Sequence, residues 1–284
     1  MAKATRAAFG ETLIELVDGG MDIMAVDADL AGSTTLGKFG AAYPDRFVDV
    51  GIAEQNMIGV ASGLALTGKT VFTGSFAVFG SGRCWEQIRN TVCVSNLNVK
   101  VCPTHAGITV GPDGETHQAL EDIALMRCLP HMRVLVPADF EAAVYDEPFE
   151  MDSPAFVRVL REGGDISIMA CGVEVGFALQ AAEALAAEGI SAEVIDVMSI
   201  KPLAEDVLIA SAAKTGCVLT VEEHGIDGGM GSAVTELLAD KHPVRVNRLG
   251  MTGFGQSGTA AELLAHYGLD AAGIAARVHE VLGR

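Results

Sequence analysis

No C-x-x-C pair occurs among the six cysteines of this chain, which stand apart at Cys84, Cys93, Cys102, Cys128, Cys171 and Cys217. That scatter excludes a zinc ribbon and argues against a disulfide framework, leaving small buried thiols in a reducing compartment as the expectation. Blocks of consecutive lysine or arginine are also missing, and a net charge of -18 would repel a phosphate backbone, so nucleic acid is excluded as a partner. Nor is there a long apolar run. The N-terminal stretch MAKATRAAFGETLIELVDGG mixes charge with apolar residues at helical spacing, unlike a signal peptide or a membrane span, so a cytoplasmic protein with no membrane partner is expected. Short-period repeats and low-complexity tracts are absent as well.

What is present is apolar surface: half of the 284 residues are hydrophobic and 20% are charged, enough for two domain cores. Strand-length runs DIMAV (22–26), RFVDV (46–50), TVFTG (70–74), VKVCP (99–103) and RVLVP (133–137) alternate with helical patterns. A second series follows: ISIMAC (166–171), AEVIDV (192–197), GCVLTV (216–221) and PVRVNR (243–248). Such alternation predicts parallel sheets covered by helices, and hence an α/β protein of two doubly wound domains, residues 1–150 and 165–284. The junction YDEPFEMDSPAFVRVLREGGD (145–165) is rich in Pro, acid and Gly, as a linker should be.

Residues 63–70, GLALTGKT, satisfy the phosphate-loop pattern G-x-x-x-x-G-K-[ST]. The pattern works only between a strand and a following helix, whose N-terminal N–H groups face the phosphates. Here the order is reversed, with a helix over EQNMIGVASGLALTG capped by Gly68 and a strand after it, so the match is a chance one.

The stretch Val48-Asp-Val-Gly-Ile-Ala-Glu-Gln-Asn-Met57 ends a strand, turns at Gly51 and places Glu54 in the first turn of an apolar helix. Among Ile52, Ala53, Met57 and Ile58 that carboxylate is expected to be desolvated and to hold a proton more readily than usual, as suits sharing one with a ligand nitrogen. Taken alone, Glu54 would read as an ordinary helix N-terminal charge. Downstream, residues 104–121 place His105, Asp113 and His117 in a Gly/Pro-rich loop that opens a helix. Loops at the carboxyl ends of parallel strands are where α/β folds carry their polar working groups.

These residues, in their order and spacing, resemble the second half of transketolases. The resemblance runs through Ala4-Thr-Arg6-Ala-Ala-Phe-Gly, Asp27-Ala-Asp29-Leu-Ala-Gly-Ser33, Gly51-Ile-Ala-Glu54-Gln-Asn-Met, Ser75-Phe76-Ala-Val-Phe79, Thr104-His105 and Asp113-Gly-Glu-Thr-His117-Gln. It continues with Glu222-Glu-His224-Gly-Ile-Asp-Gly-Gly-Met-Gly and Phe254-Gly-Gln-Ser-Gly-Thr-Ala-Ala-Glu-Leu-Leu. It implies a thiamine-diphosphate pyrimidine-binding domain followed by a transketolase C-terminal-type domain, transferring a two-carbon ketol unit from a ketose to an aldose. Glu54 would hydrogen-bond N1′ of the aminopyrimidine and favour its imino tautomer. Phe76 and Phe79 would flank that ring, with Asp29 near the cofactor. His105 and His117 would face the substrate carbonyl and hydroxyls, and Asp113 would read sugar hydroxyls. For phosphorylated sugars the implied cluster is Arg6, Ser33, His105 and either Arg158 or Arg161.

The family's Gly-Asp-Gly with its later Asn, which holds the cofactor diphosphate and a divalent metal, is missing. The chain therefore resembles one half of a split enzyme. No metal ligand is expected in it, and Mg2+ or Ca2+ would be held by a diphosphate-binding N-terminal subunit. Self-association to a heterotetramer is implied, because the family's active sites lie between chains. Two departures stand out: a third family aromatic falls on Gly82, and residues 144–165 are shorter than the family's helix, strand and linker there. A 1-deoxyxylulose-phosphate-synthase type shares the Gly-Ile-Ala-Glu-Gln segment, and a non-catalytic regulatory subunit of the same fold is the non-enzyme alternative.

Overall fold

The computed structural model describes residues 5–138 and 156–283, which form two compact units interleaved in sequence. The first takes the described residues up to 106 together with 128–132; the second takes 107–127, 133–138 and the chain from 156 onward. The expected domain limit at residue 150 and the first part of the expected linker lie outside the described residues.

The first unit is built on four parallel strands, β1 (Ile23–Asp27), β2 (Phe47–Asp49), β3 (Thr70–Gly74) and β4 (Val99–Val101), in the order β2-β1-β3-β4. Its helices are α1 (Thr5–Asp18), α2 (Ala31–Thr34), α3 (Leu36–Ala42), α4 (Glu54–Leu66) and α5 (Trp85–Gln87), the last flanked by π-helical segments Val78–Arg83 and Ile88–Cys93. Every residue of β1 is buried, as a central parallel strand covered on both faces requires. Leu13 of α1 and Leu36 and Phe39 of α3 pack on Ile23 and Ala25. Helix α4 ends just before Gly68, which turns the chain at φ +90° into β3. The helix-before-strand order that rules out a phosphate loop is thus the observed one.

The second unit holds β6 (Arg158–Arg161), β7 (Ile166–Ala170), β8 (Ala192–Asp196), β10 (Cys217–Gly225) and β11 (Arg245–Met251), ordered β11-β10-β7-β8-β6. Its helices are α6 (Asp122–Arg127), α7 (Glu174–Ala187), α8 (Glu205–Thr215), α9 (Met230–Lys241), α10 (Ala260–Tyr267) and α11 (Ala271–Leu282). Alanines 178, 181 and 182 of α7 interlock with Ile166, Ile168 and Val194 of the sheet and with Ile274 and Val278 of α11.

Two expectations are corrected. The run 133–137 does not extend the first sheet: its strand, β5 (Val134–Leu135), pairs antiparallel with β9 (Ser199–Lys201) within the second unit. Pro137 has no amide to continue a central ladder, so the run serves only as a short pairing strand. The second half of the expected linker is also a strand, since β6 pairs antiparallel with β8. Gly163 permits this, because a Cβ there would stand 2.2 Å from the backbone of Ala192. Of the cysteines, Cys84, Cys93 and Cys171 are buried, Cys102 and Cys217 are half-buried, and Cys128 is exposed against expectation.

Candidate active site

In the first unit the site starts at the carboxyl ends of β1 and β2. After β2, Gly51 adopts φ +71° and donates its N–H to Asp49 Oδ1 at 2.8 Å, turning the chain so that α4 begins at Glu54. Glu54 is 3% exposed, while Ile52, expected to help cover it, points outward at 79% exposure. The carboxylate is met instead by Arg83, whose Nη1 donates to Glu54 Oε1 at 2.7 Å. The same guanidinium lies over the Phe79 ring, 4.5 Å from its centroid. Phe79 and Phe76 are near-parallel, with centroids 6.3 Å apart and 9° between their planes. Phe79 and Arg83 share a face because both belong to the π-helical turn Val78–Arg83, a local widening common at functional sites.

His105 joins this cluster through the sheet. Beyond β3 and β4 the ladder continues as a bridge between Phe76 and Thr104, which sets the next residue against Phe76 at a centroid distance of 4.2 Å. His105 has φ +58°, a left-handed conformation that is costly for a residue with a Cβ and is found where surrounding structure enforces it. Its Nε2 stands 3.1 Å from Arg6 Nη1 and its Nδ1 2.8 Å from Thr104 Oγ1. A guanidinium can only donate, so Nε2 accepts and Nδ1 carries the proton that faces Thr104. Arg6 is fixed in turn: its carbonyl accepts from Thr35 Oγ1, directly beyond the helix that carries Ser33.

Asp29 is exposed, at φ +62°, and its N–H donates to Asp49 Oδ1 at 3.1 Å. The segment between Asp29 and Ser33 hangs on Asp27, which accepts Leu30 N–H at 2.6 Å and Thr34 Oγ1–H at 3.0 Å. Burial pushes the Asp27 carboxyl up to about 6. Arg6, Phe76, Phe79, His105 and Glu54 are thus linked contact by contact in one unit. Arg83, which completes the chain, is absent from the sequence-based set. Its signal was a lone cation four residues after Phe79 in an otherwise small and apolar stretch.

Asp113, His117 and the arginines 158 and 161 belong to the second unit. Asp113 is exposed at the end of the tight turn Ile108–Asp113, and half-buried His117 has its Nδ1 2.9 Å from Thr116 Oγ1. The loop that presents them is clamped within its unit. Glu223 Oε2 accepts Thr109 N–H at 2.9 Å, and Gln118 Nε2 donates to Gln256 O at 2.9 Å. Gly114, at φ +72°, lies so close to Ser257 that a Cβ would meet its Oγ at 2.3 Å. Arg158 is exposed and Arg161 half-buried, both on β6. Among the described residues no cluster of three or more His, Cys, Asp or Glu side chains is placed to hold a metal ion. No helix among them is long and apolar enough to cross a membrane.

Residues 1–146 match the family profile described as transketolase, pyrimidine binding domain, and residues 156–274 that of transketolase, C-terminal domain. A 6-deoxy-6-sulfo-D-fructose transketolase subunit of a Clostridium species is 38% identical, over 98% of this chain and 94% of the relative. A 1-deoxy-D-xylulose-5-phosphate synthase of Geobacter sulfurreducens is 37% identical over 96% of this chain, which spans 47% of that relative. Among solved structures, a split gene transketolase, described as an inactive beta4 tetramer, superposes with a TM-score of 0.86 at 42% identity, covering 100% of this chain and 99% of the other.

Proposed function

Because the chain belongs to the transketolase family, we propose that it is the pyrimidine-binding and C-terminal subunit of a two-chain, thiamine-diphosphate-dependent transketolase. It would move a two-carbon ketol unit from a ketose, phosphorylated in our reading, to an aldose. The observation that carries this is the buried Glu54 carboxylate beside the Phe79 face, bridged by a planar nitrogen cation. That cation stands in for an aminopyrimidine, which likewise needs a flat apolar face and an acceptor for ring-nitrogen hydrogen, so the residues fit the cofactor.

Thiamine diphosphate, when bound, supplies the nucleophilic carbon and the electron sink for breaking the ketose C–C bond. Glu54 holds and exchanges a proton at the pyrimidine N1′. Phe76 and Phe79 fix the ring plane and exclude water, with Asp29 beside the cofactor. His117 donates hydrogen bonds to substrate oxygens as charge develops on them, and His105 does so where its Nε2, the acceptor from Arg6 in the free chain, carries the proton instead. Asp113 accepts from sugar hydroxyls, while Arg6, Ser33 and His105, with Arg161, take a sugar phosphate. We read domains of 1–150 and 165–284, with every residue given a role here in the first except Arg161, which lies between them. The diphosphate and its Mg2+ or Ca2+ are assigned to a partner, a transketolase N-terminal-type subunit, because this sequence has no Gly-Asp-Gly; a cytoplasmic heterotetramer is our reading of the assembly, after the family's active sites between chains.

The deciding experiment is reconstitution with that partner. Ketol transfer should require both chains, and Glu54→Gln should bind cofactor within about tenfold of wild type while turnover falls roughly 100- to 10,000-fold. Normal turnover in the cofactor-loaded variant would remove Glu54 from its role. A second reading, a deoxyxylulose-phosphate-forming synthase, is favoured by the Geobacter relative. Product formation from pyruvate in the same assay would establish it in place of ketol transfer.

A further inference from the structure

We propose that Arg83 is a displaceable placeholder for the cofactor's aminopyrimidine, holding Glu54 and Phe79 in their binding arrangement and leaving both when the ring enters. This rests on the functional reading above. The two groups assigned to the ring are the two groups that Arg83 occupies: Nη1 donates to Glu54 Oε1 at 2.7 Å, and the guanidinium carbon lies 4.5 Å from the Phe79 centroid. A planar cation offers a stacking face and in-plane N–H donors together, which an ammonium cannot. A guanidinium and a pyrimidine cannot both stack on the same face of Phe79, so on that face one excludes the other.

The placeholder has a physical reason. A carboxylate as buried as Glu54, left without a partner, either drives the site apart or takes up a proton. Arg83 removes that problem in the cofactor-free chain while remaining free to depart, since its side chain is 47% exposed against 4% for Glu54. Departure needs no backbone change. The Arg83 carbonyl is held by Gln55 Nε2 at 3.3 Å, from the residue next to Glu54, and stays while the side chain swings. Space lies beside it: a Cβ at Gly82, where a third family aromatic would stand, meets nothing within 4 Å.

The contact with Arg83 stabilises only the cofactor-free state, so it weakens cofactor binding by the same free energy that it adds to cofactor-free stability. The test takes the complex of this chain with its diphosphate-binding partner, stripped of cofactor, and titrates it calorimetrically with thiamine diphosphate and Mg2+. Arg83→Met keeps the apolar stem and removes the guanidinium. It should bind roughly 10- to 100-fold more tightly than wild type, the span expected for loss of a competing charge-assisted hydrogen bond. Arg83→Lys, which keeps charge without the planar fork, should fall between. Thermal unfolding of the cofactor-free chain supplies a readout independent of turnover: Arg83→Met should melt lower, and Glu54→Gln added to it should restore the loss. With saturating cofactor, wild type and Arg83→Met should melt alike. Equal or weaker cofactor affinity in Arg83→Met, or an unchanged cofactor-free melting temperature, overturns the placeholder while leaving the role of Glu54 standing. Failure of the wild-type complex to bind cofactor overturns the functional reading and the placeholder with it.

Discussion

Glu174 offers a test of how the second unit tolerates buried charge. It is the first residue of α7, is 0% exposed, and neither carboxyl oxygen has a hydrogen-bond partner among the described residues. Burial, with further repulsion from Glu223 and Asp270, raises its pKa from 4.5 to about 9. At neutral pH Glu174 is therefore a neutral acid in the folded chain and a carboxylate in the unfolded one. Between pH 4.5 and 9 the folded state binds the extra proton, so stability is full at acid pH and falls as pH rises through that window. Each pH unit removes at most about 1.4 kcal/mol, which makes roughly 3 kcal/mol between pH 4.5 and neutrality. Glu174→Gln keeps the shape but does not titrate, and Glu174→Met removes the orphaned oxygens altogether. Both variants should show a much flatter stability-versus-pH curve, and Glu174→Met should exceed wild type above pH 7. Glu222 and Glu223 are likewise pushed up by burial and give wild type and variants a common background slope. Because two units need not unfold together, hydrogen exchange of α7 amides between pH 5.5 and 8.5 is the cleaner measure. Parallel slopes in wild type and Glu174→Gln would refute the assignment of a neutral acid.

Asp27, buried and raised from 3.8 to about 6, should make the first unit lose up to about 3 kcal/mol as pH rises from 3.8 to 6. Asp27→Asn should abolish that slope, as read by exchange of the amides of residues 30–34, and an unchanged slope would disprove it. Gly114→Ala forces a Cβ into a left-handed position 2.3 Å from Ser257 Oγ. It should destabilise the loop carrying Asp113 and His117 by at least about 1–2 kcal/mol and raise KM for the sugar more than it lowers kcat. Ser257→Gly should recover part of the loss, and a neutral Gly114→Ala would show that the clamp does not position the loop.

The sequence signals that succeeded and those that failed differ in kind. Strands β1, β3, β7, β8 and β10 were legible because parallel strands that are wholly or largely buried read as mainly apolar runs bounded by turns. For β5 the run was legible but not its sheet, and β6 was read as linker, since a two- to four-residue run does not specify its neighbour. The partner of β5 lies more than sixty residues downstream, at Ser199–Lys201. Glu54 could be singled out from its place at a helix start, but its ion pair spans 29 residues and arises only when the turn Val78–Arg83 folds against α4. Conversely, composition alone does not mark the polar triplet Glu222-Glu223-His224 as interior, yet all three are buried at the carboxyl end of β10. Glu222 accepts the N–H groups of Met230 and Gly231 at 2.7 and 2.8 Å, capping α9. Glu223 holds Thr109, and His224 Nε2 lies 3.4 Å from Asp122 Oδ1. The carboxyl edge of a parallel sheet is where free helix N-termini and loop amides converge, so carboxylates can be buried there without losing their hydrogen bonds. A run of acids directly after a buried strand is therefore better read as an anchor for the following loop and helix than as surface, and here the anchored loop is the one that carries Asp113 and His117.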